Sequence, residues 1–346
     1  MNHIDKEQGM ARILEEDYAY ATARIRAMEN RLITPQQYQR MLDAASAEEI
    51  VKMLVEQGYG MGDTDISRPV VHTSEKLLSD EMEKAYALVR ELVPHPEVLS
   101  LFMRRNDYLN AKLILKASFL GIDDPGVYAD SGTIDPARLR SMITDRNLAE
   151  LPGIFGKAIL ESIDSYGRSG DPQVIDFILD RAMYENMEED AKEIGVPYIS
   201  ELAGLIHDLA NIRIFIRAKL LNKTRDFLER ALLKGSRIDR KLYLDLSDKP
   251  LDQLFEALRF TALSGLASRL SEAFKNGDGI SGMEKILDEH FISFIKRTRY
   301  IAMGVEPVIA WLFYKEAEIR NVRLILTGKI NGISGKIIGE RLRAYA

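Results

Sequence analysis

One sentence of residues is written three times along this chain of 346 residues. Asp107-Tyr-Leu-Asn110-Ala-Lys112-Leu-Ile-Leu115 returns as Asp208-Leu-Ala-Asn211-Ile-Arg213-Ile-Phe-Ile216, and again as Glu318-Ile-Arg-Asn321-Val-Arg323-Leu-Ile-Leu326. The acidic residues stand 101 and 110 positions apart. Self-similarity at such a period predicts three copies of one helical module. A tripled module makes a closed or curved object with a middle, and function is sought in that middle.

Two other landmarks keep the same order. Leu77-Leu78-Ser79-Asp80, Ile178-Leu179-Asp180 and Ile286-Leu287-Asp288 each place an Asp after apolar residues. Ile33-Thr34-Pro35, Ile134-Asp135-Pro136 and Ile238-Asp239-Arg240 each form a helix start. There Thr or Asp accepts from free backbone N–H groups, and Pro loses nothing at the first helical position. Thr34 with Gln37, and Ser46 with Glu49, fit capping boxes.

The expected fold class is all-α, with modules over residues 1–124, 125–228 and 229–346. Breaks fall at glycines such as Gly58 and Gly121, after apolar helical runs. Ile212-Arg-Ile-Phe-Ile-Arg217 alternates like a strand. It lies in an unbroken stretch from Ile199 to Leu221, Gly204 apart, and that length decides for helix. The tripled helix is apolar on most sides, which predicts a central, buried position. Asn110, Asn211 and Asn321 inside it must find hydrogen-bond partners, because an unsatisfied buried amide costs roughly 1–3 kcal/mol. Lys112, Arg213 and Arg323 need carboxylates or a route to solvent. The nine signature residues Asp107, Asn110, Lys112, Asp208, Asn211, Arg213, Glu318, Asn321 and Arg323 are expected to be structural, with direct partner binding as the alternative.

Composition narrows the function classes. Hydrophobic residues make up 46% and charged residues 29%, as in a soluble protein. Cysteine is absent, which excludes disulfide and thiolate chemistry. A net charge of −6 argues against non-specific nucleic-acid binding. No uncharged apolar run reaches the ~18 residues of a membrane span, and Met1-Asn-His-Ile-Asp-Lys6 lacks the parts of a signal peptide. Residues 315–346 depart from the acidic average with seven Lys or Arg against three Glu, either a solvated helix face or a contact surface. There is no phosphate loop, since Gly332-Ile-Ser-Gly335-Lys336 lacks its first Gly and its final hydroxyl. His3, His72, His95, His207 and His290 form no helical metal pair. No catalytic, cofactor-binding or metal-binding residue is assigned, and no cofactor is expected.

The C-terminal run Trp311-Leu-Phe-Tyr-Lys315-Glu-Ala-Glu318-Ile-Arg-Asn321-Val-Arg323-Leu-Ile-Leu326 resembles the last helix of the C-subunit family of V/A-type ATPases, whose eukaryotic counterpart is the d subunit. Tyr20-Ala-Thr-Ala-Arg-Ile-Arg-Ala27, Leu32-Ile-Thr-Pro-Gln-Gln-Tyr38, Glu48-Glu-Ile-Val-Lys-Met-Leu54 and Tyr59 are similar to that family's opening. The resemblance covers essentially the whole chain. It implies a funnel of three helical modules around a central cavity, belonging to the rotor and performing no chemistry. The implied partners are shaft subunits D and F on one side and the membrane proteolipid ring on the other. One copy per complex is expected, monomeric when alone, at the cytoplasmic face of the membrane.

A socket that transmits torque must be asymmetric in detail. Aligning Asp180 with Asp288 sets Glu188-Glu189-Asp190 opposite Lys296-Arg297-Thr298, and the stretch counted from Asp80 is Leu88-Val89-Arg90. Glu188, Glu189, Lys296 and Arg297 are therefore the candidate partner-orienting residues, against the plainer reading of drift on solvated faces. The competing functions are a free-standing helical scaffold that binds a protein in its concavity, and a helical hydrolase built from distant carboxylates.

Overall fold

The computed structural model describes residues 13–62, 69–122, 126–151 and 153–343. Met1–Lys6, with His3, and the first module boundary at 124/125 lie outside the described residues. Among those residues every regular element is helical. The α-helices are α1 (Ala19–Glu29), α2 (Pro35–Asp43), α3 (Ala47–Glu56), α4 (Val70–Leu92), α5 (Pro96–Phe119), α6 (Pro136–Thr144), α7 (Gly153–Ser169) and α8 (Gln173–Ile194). They continue with α9 (Pro197–Leu220), α10 (Arg225–Ala231), α11 (Arg240–Asp245), α12 (Asp252–Leu258), α13 (Ser264–Asn276), α14 (Gly279–Ile295), α15 (Val305–Ile330) and α16 (Gly335–Arg341). Short 3-10 turns precede α1 and follow α14.

The signature falls on the three long helices α5, α9 and α15, of 24, 24 and 26 residues. Each stops in the same way. Gly121, Asn222 and Gly332, each fourteen residues past its signature acid, adopt left-handed φ of 70°, 51° and 69°. The next N–H then returns to the helix: Ile122 to the Ala117 carbonyl, Lys223 to Ala218 and Ile333 to Gly328, at 2.9, 2.8 and 2.9 Å. This is the Schellman end, which only Gly and Asn enter readily. The short helices start on their caps: Thr34 accepts from Gln37 N, Asp135 from Arg138 N and Asp239 from Lys241 N. Thr34 and Gln37 complete a capping box. At Ser46 the box is displaced, because Glu49 accepts from Ala45 N instead of Ser46 N.

The second halves of α5 and α15 leave the largest core for two smaller ones, while α9 stays in it along its length. Tyr108, Ala111, Ile114 and Leu115 of α5 join α6, α7 and α8 in one core. Ile319, Val322, Ile325 and Leu326 of α15 join α2, α3, the start of α4 and α16 in another. The first halves of all three long helices share the largest core, which also takes in α10–α14. There Phe102 of α5 meets Phe313 of α15 edge to face at 5.1 Å. Truncating such a ring to Ala costs about 3–5 kcal/mol. The packing order is cyclic: α15 on α4, α4 on α5, α5 on α8, α8 on α9, and α9 on α14. α14 returns to α15 through α16 and the 3-10 turn Lys296–Tyr300.

Candidate functional site

The signature residues occupy three junctions of one design. Each acid reaches the backbone just ahead of a short helix. Asp107 accepts from Thr133 N at 2.9 Å and Ile134 N at 3.1 Å. Asp208 accepts from Ile238 N at 3.2 Å, and Glu318 from Ile33 N at 2.5 Å. The third bond runs from the last long helix to the first short one and completes a cycle. Asp107 is buried, which raises its pKa, while the bonds from Thr133 and Ile134 work against that rise. The loop lies so close that a Cβ at Gly132 would stand 2.3 Å from Asp107 Oδ1.

Each Asn clamps one residue by both backbone groups. Asn110 holds Ala129 (2.9 and 2.9 Å), Asn211 holds Leu233 (3.2 and 2.9 Å), and Asn321 holds Arg343 (3.2 and 2.9 Å). The three Asn side chains are fully buried. The cations bridge to a neighbouring helix: Lys112 to Asp180 of α8 at 2.5 Å and Arg213 to Asp288 of α14 at 2.8 Å. The third departs from the sequence register. Arg323 pairs with Glu75 of α4 at 3.1 Å, while Asp80 is taken by Lys76 at 2.6 Å.

The junction that joins chain start to chain end is the most strongly charged. Lys315 of α15 is buried, with Glu81 at 2.6 Å and Glu318 at 2.7 Å. Burial pulls its ammonium down, but the two carboxylates outweigh that and raise its pKa. The ammonium sits 4.5 Å from the Tyr59 ring centre, and the Tyr59 hydroxyl donates to Glu318. Nothing in the repeat marks Lys315, whose equivalents are Arg104 and Leu205. The basic C-terminal stretch is thus largely spoken for by its own chain. Lys329 Nζ donates to the Leu42 and Ala44 carbonyls, and Arg343 pairs with Asp288.

The four candidate orienting residues fall in two separate places. Glu188 lies half-buried in the last turns of α8, its Oε1 2.5 Å from His207 Nδ1. Burial raises the pKa of Glu188 and pushes that of His207 down to about 4. A neutral ring that donates from Nδ1 leaves Nε2 as a bare acceptor, and that atom is buried without a partner. Glu189 beside it is exposed. Lys296 and Arg297 are exposed at the turn after α14, with Arg297 5.0 Å over the Phe294 ring. Lys296 edges a cavity of about 340 Å³ shared with Arg26, Glu29 and Tyr314. No hydrogen bond or ion pair joins the two groups among the described residues.

Among those residues no cluster of His, Asp and Glu could hold a metal ion. No described helix is long and apolar enough to cross a membrane. Spacing alone does not mark the pairing of Arg213 and Arg343 on one carboxylate, Asp288. Arg343 lies outside the repeat pattern, and only folding brings it to the same Asp288 that pairs with Arg213.

The sequence matches the ATP synthase (C/AC39) subunit family over residues 21–341. It is 25% identical to the C subunit of the A-type ATP synthase of Methanocaldococcus jannaschii, covering 94% of this chain and 86% of that one. It is 24% identical to the C subunit of the V-type sodium ATPase of Enterococcus hirae, covering 92% and 96%. A third relative, the C subunit of the A-type ATP synthase of Thermococcus kodakarensis, is 23% identical over 93% of this chain and 89% of its own. The chain therefore belongs to the ATP synthase (C/AC39) subunit family, a structural rather than catalytic part of A- and V-type ATPases.

Proposed function

We propose that this chain is a central-stalk rotor subunit of a V/A-type ATPase or ATP synthase. It is a socket of three modules, 1–124, 125–228 and 229–346, that grips shaft subunits D and F and rests on the membrane proteolipid ring at the cytoplasmic face. The observation that carries the reading is the cycle of junctions. Glu318 bonds Ile33 as Asp107 bonds Ile134 and Asp208 bonds Ile238. A socket closed in this way has no free edge at which torque could pry it open. Its closing junction holds a buried ion triad, which is strongly destabilised by loss of any one member.

The orienting role falls to exposed Glu189 on one side and Lys296 and Arg297 on the other, with Glu188 held beneath by His207. Equivalent places in the modules then offer acid and base, so a shaft seats in one orientation. Isolation of a tagged copy from membranes in mild detergent tests the whole reading. Nucleotide-binding motor subunits and a proteolipid should accompany it; a lone soluble partner would instead make it a free-standing scaffold. Exchanging the charges at Glu189, Lys296 and Arg297 tests the orienting role. Coupling of ATP hydrolysis to ion transport should fall, and unchanged coupling with normal assembly refutes it.

A further inference from the structure

The 3-10 turn Lys296–Tyr300 is pinned in place from α1. Arg26 Nη2 donates to the Thr298 carbonyl at 2.8 Å and to the Ile301 carbonyl at 2.9 Å. Its Nη1 donates to Glu29 at 2.7 Å. The Thr22 hydroxyl donates to the Gly304 carbonyl at 3.2 Å. Thr298 is itself buried, its hydroxyl donating to the Ile295 carbonyl at 2.9 Å. Tied at Thr298, Ile301 and Gly304, the turn holds its Cα–Cβ directions fixed.

A 3-10 helix has three residues per turn, so side chains at i and i+3 stand one above the other. Lys296 and Arg299 therefore share one edge of the turn, and both line the cavity of about 340 Å³. Arg297 does not line it and lies over the Phe294 ring instead. A run of cations that looks uniform in the sequence is thus split by the fold. The side chains of Lys296 and Arg299 have no hydrogen bond or ion pair among the described residues.

The rest of the wall carries the same sign. Arg26 is offset by Glu29, so Lys296 and Arg299 leave the described lining with an excess of two positive charges. Thr34 and Pro35 open α2 there, and a helix start adds partial positive charge. Tyr314 of α15 also lines the cavity. It is 8% exposed, and its hydroxyl has no hydrogen-bond partner among the described residues. Burial pushes its pKa up to about 12, so the group stays a donor. A phenol in such a place is costly unless something in the cavity accepts from it.

We propose that this cavity seats a phosphate group, held by Lys296 and Arg299 and receiving a hydrogen bond from the Tyr314 hydroxyl. A phosphate dianion matches the excess of two charges, where a carboxylate would leave one unmet. Guanidinium and ammonium groups both bind phosphate oxygens, the first through its planar fork and the second as a point charge. The volume lies at the small end of ligand cavities, which run from roughly 300 to 1,000 Å³. The phosphate is therefore a small free anion or the exposed end of a larger molecule such as a lipid headgroup. The inference stands apart from the socket reading and needs no partner subunit.

Calorimetry of the full chain with pyrophosphate at low salt tests the seat. One equivalent should bind, and inorganic phosphate should compete for it. Arg299→Gln and Lys296→Gln should each weaken binding by about 10- to 100-fold, the range of a lost charge-assisted bond. Tyr314→Phe should weaken it by about 10-fold with an unchanged melting temperature, because the hydroxyl has no partner in the free chain. Arg297→Gln, of the same charge but turned to Phe294, should bind like the wild type. Equal losses in Arg297→Gln and Arg299→Gln would reveal a diffuse basic surface and overturn the seat. So would a Tyr314→Phe variant with wild-type affinity. Flotation with phosphatidylcholine vesicles containing phosphatidic acid separates the two sources. Association that is lost in Arg299→Gln and kept in Arg297→Gln, without pyrophosphate binding, assigns the phosphate to a lipid headgroup. If the wild type binds neither pyrophosphate nor the vesicles, the cavity is no phosphate seat.

Discussion

Replacing the three clamping asparagines by alanine, one at a time, should give unequal losses although the three side chains are equally buried. The difference lies in the groups they release. Asn211 holds the N–H and C=O of Leu233, which is 2% exposed. Asn110 and Asn321 hold Ala129 and Arg343, which are only half-buried and which water reaches. A buried backbone group left unsatisfied costs roughly 1–3 kcal/mol, whereas one that water can take over costs only the net ~1 kcal/mol of the bond. Asn211→Ala should therefore lose about 3–4 kcal/mol, and Asn110→Ala and Asn321→Ala about 1–2 kcal/mol each. Urea unfolding of each variant measures the total. Native-state hydrogen exchange at Leu233 measures the local part, since its N–H donates to Asn211 Oδ1 at 2.9 Å. Equal losses at the three sites, or unchanged exchange at Leu233 in Asn211→Ala, would refute the assignment of the cost to the released backbone.

Three other expectations follow from the same geometry. Lys315→Met leaves Glu81 and Glu318 buried without their cation and should cost about 3–5 kcal/mol, with most recovered when both acids are also made Gln; urea unfolding of the two variants decides it. The His207 pKa lies at about 4 when folded and at roughly 6.5 when unfolded, so the unfolded chain binds more protons between those values. Its contribution is full above pH ~6.5 and is lost as pH falls toward ~4, by up to ~3 kcal/mol. Glu188, raised by burial, acts in the opposite direction, and the His207→Gln variant isolates the histidine share by flattening the acid side of the stability curve. Gly121→Ala should cost about 1 kcal/mol and Asn222→Gly should be neutral or slightly stabilising, because both positions have left-handed φ and no neighbour crowds a Cβ at Gly121; thermal melts of each variant report the shift.

Several features are legible in the residues alone because they depend on spacing within one turn or one helix. The starts at Thr34, Asp135 and Asp239 are local competitions for free N–H groups, and each carries its cap. Ile212–Arg217 is helical for the same local reason, and α9 runs unbroken across it. The left-handed end at Asn222 is harder to see, because asparagine marks such an end more weakly than glycine does. Its position fourteen residues after Asp208 is the available signal.

The sequence by itself determined the helices, their caps and the triple recurrence of acid, amide and cation, since a helix brings only residues three or four apart together. Tertiary structure alone decided who receives them. The order of Asp80, Asp180 and Asp288 points to Asp80 as the third ion-pair partner, yet Arg323 meets Glu75. Glu188 looks free in a charged run but is claimed by His207, nineteen residues away. Lys315 and Arg320 sit five residues apart on α15, one sealed between two carboxylates and the other open with none. Ion pairs and burial depend on distances between helices that no pattern within one helix specifies, so the recurring bonds could be expected while the two contrasting cations could only be found in the folded chain.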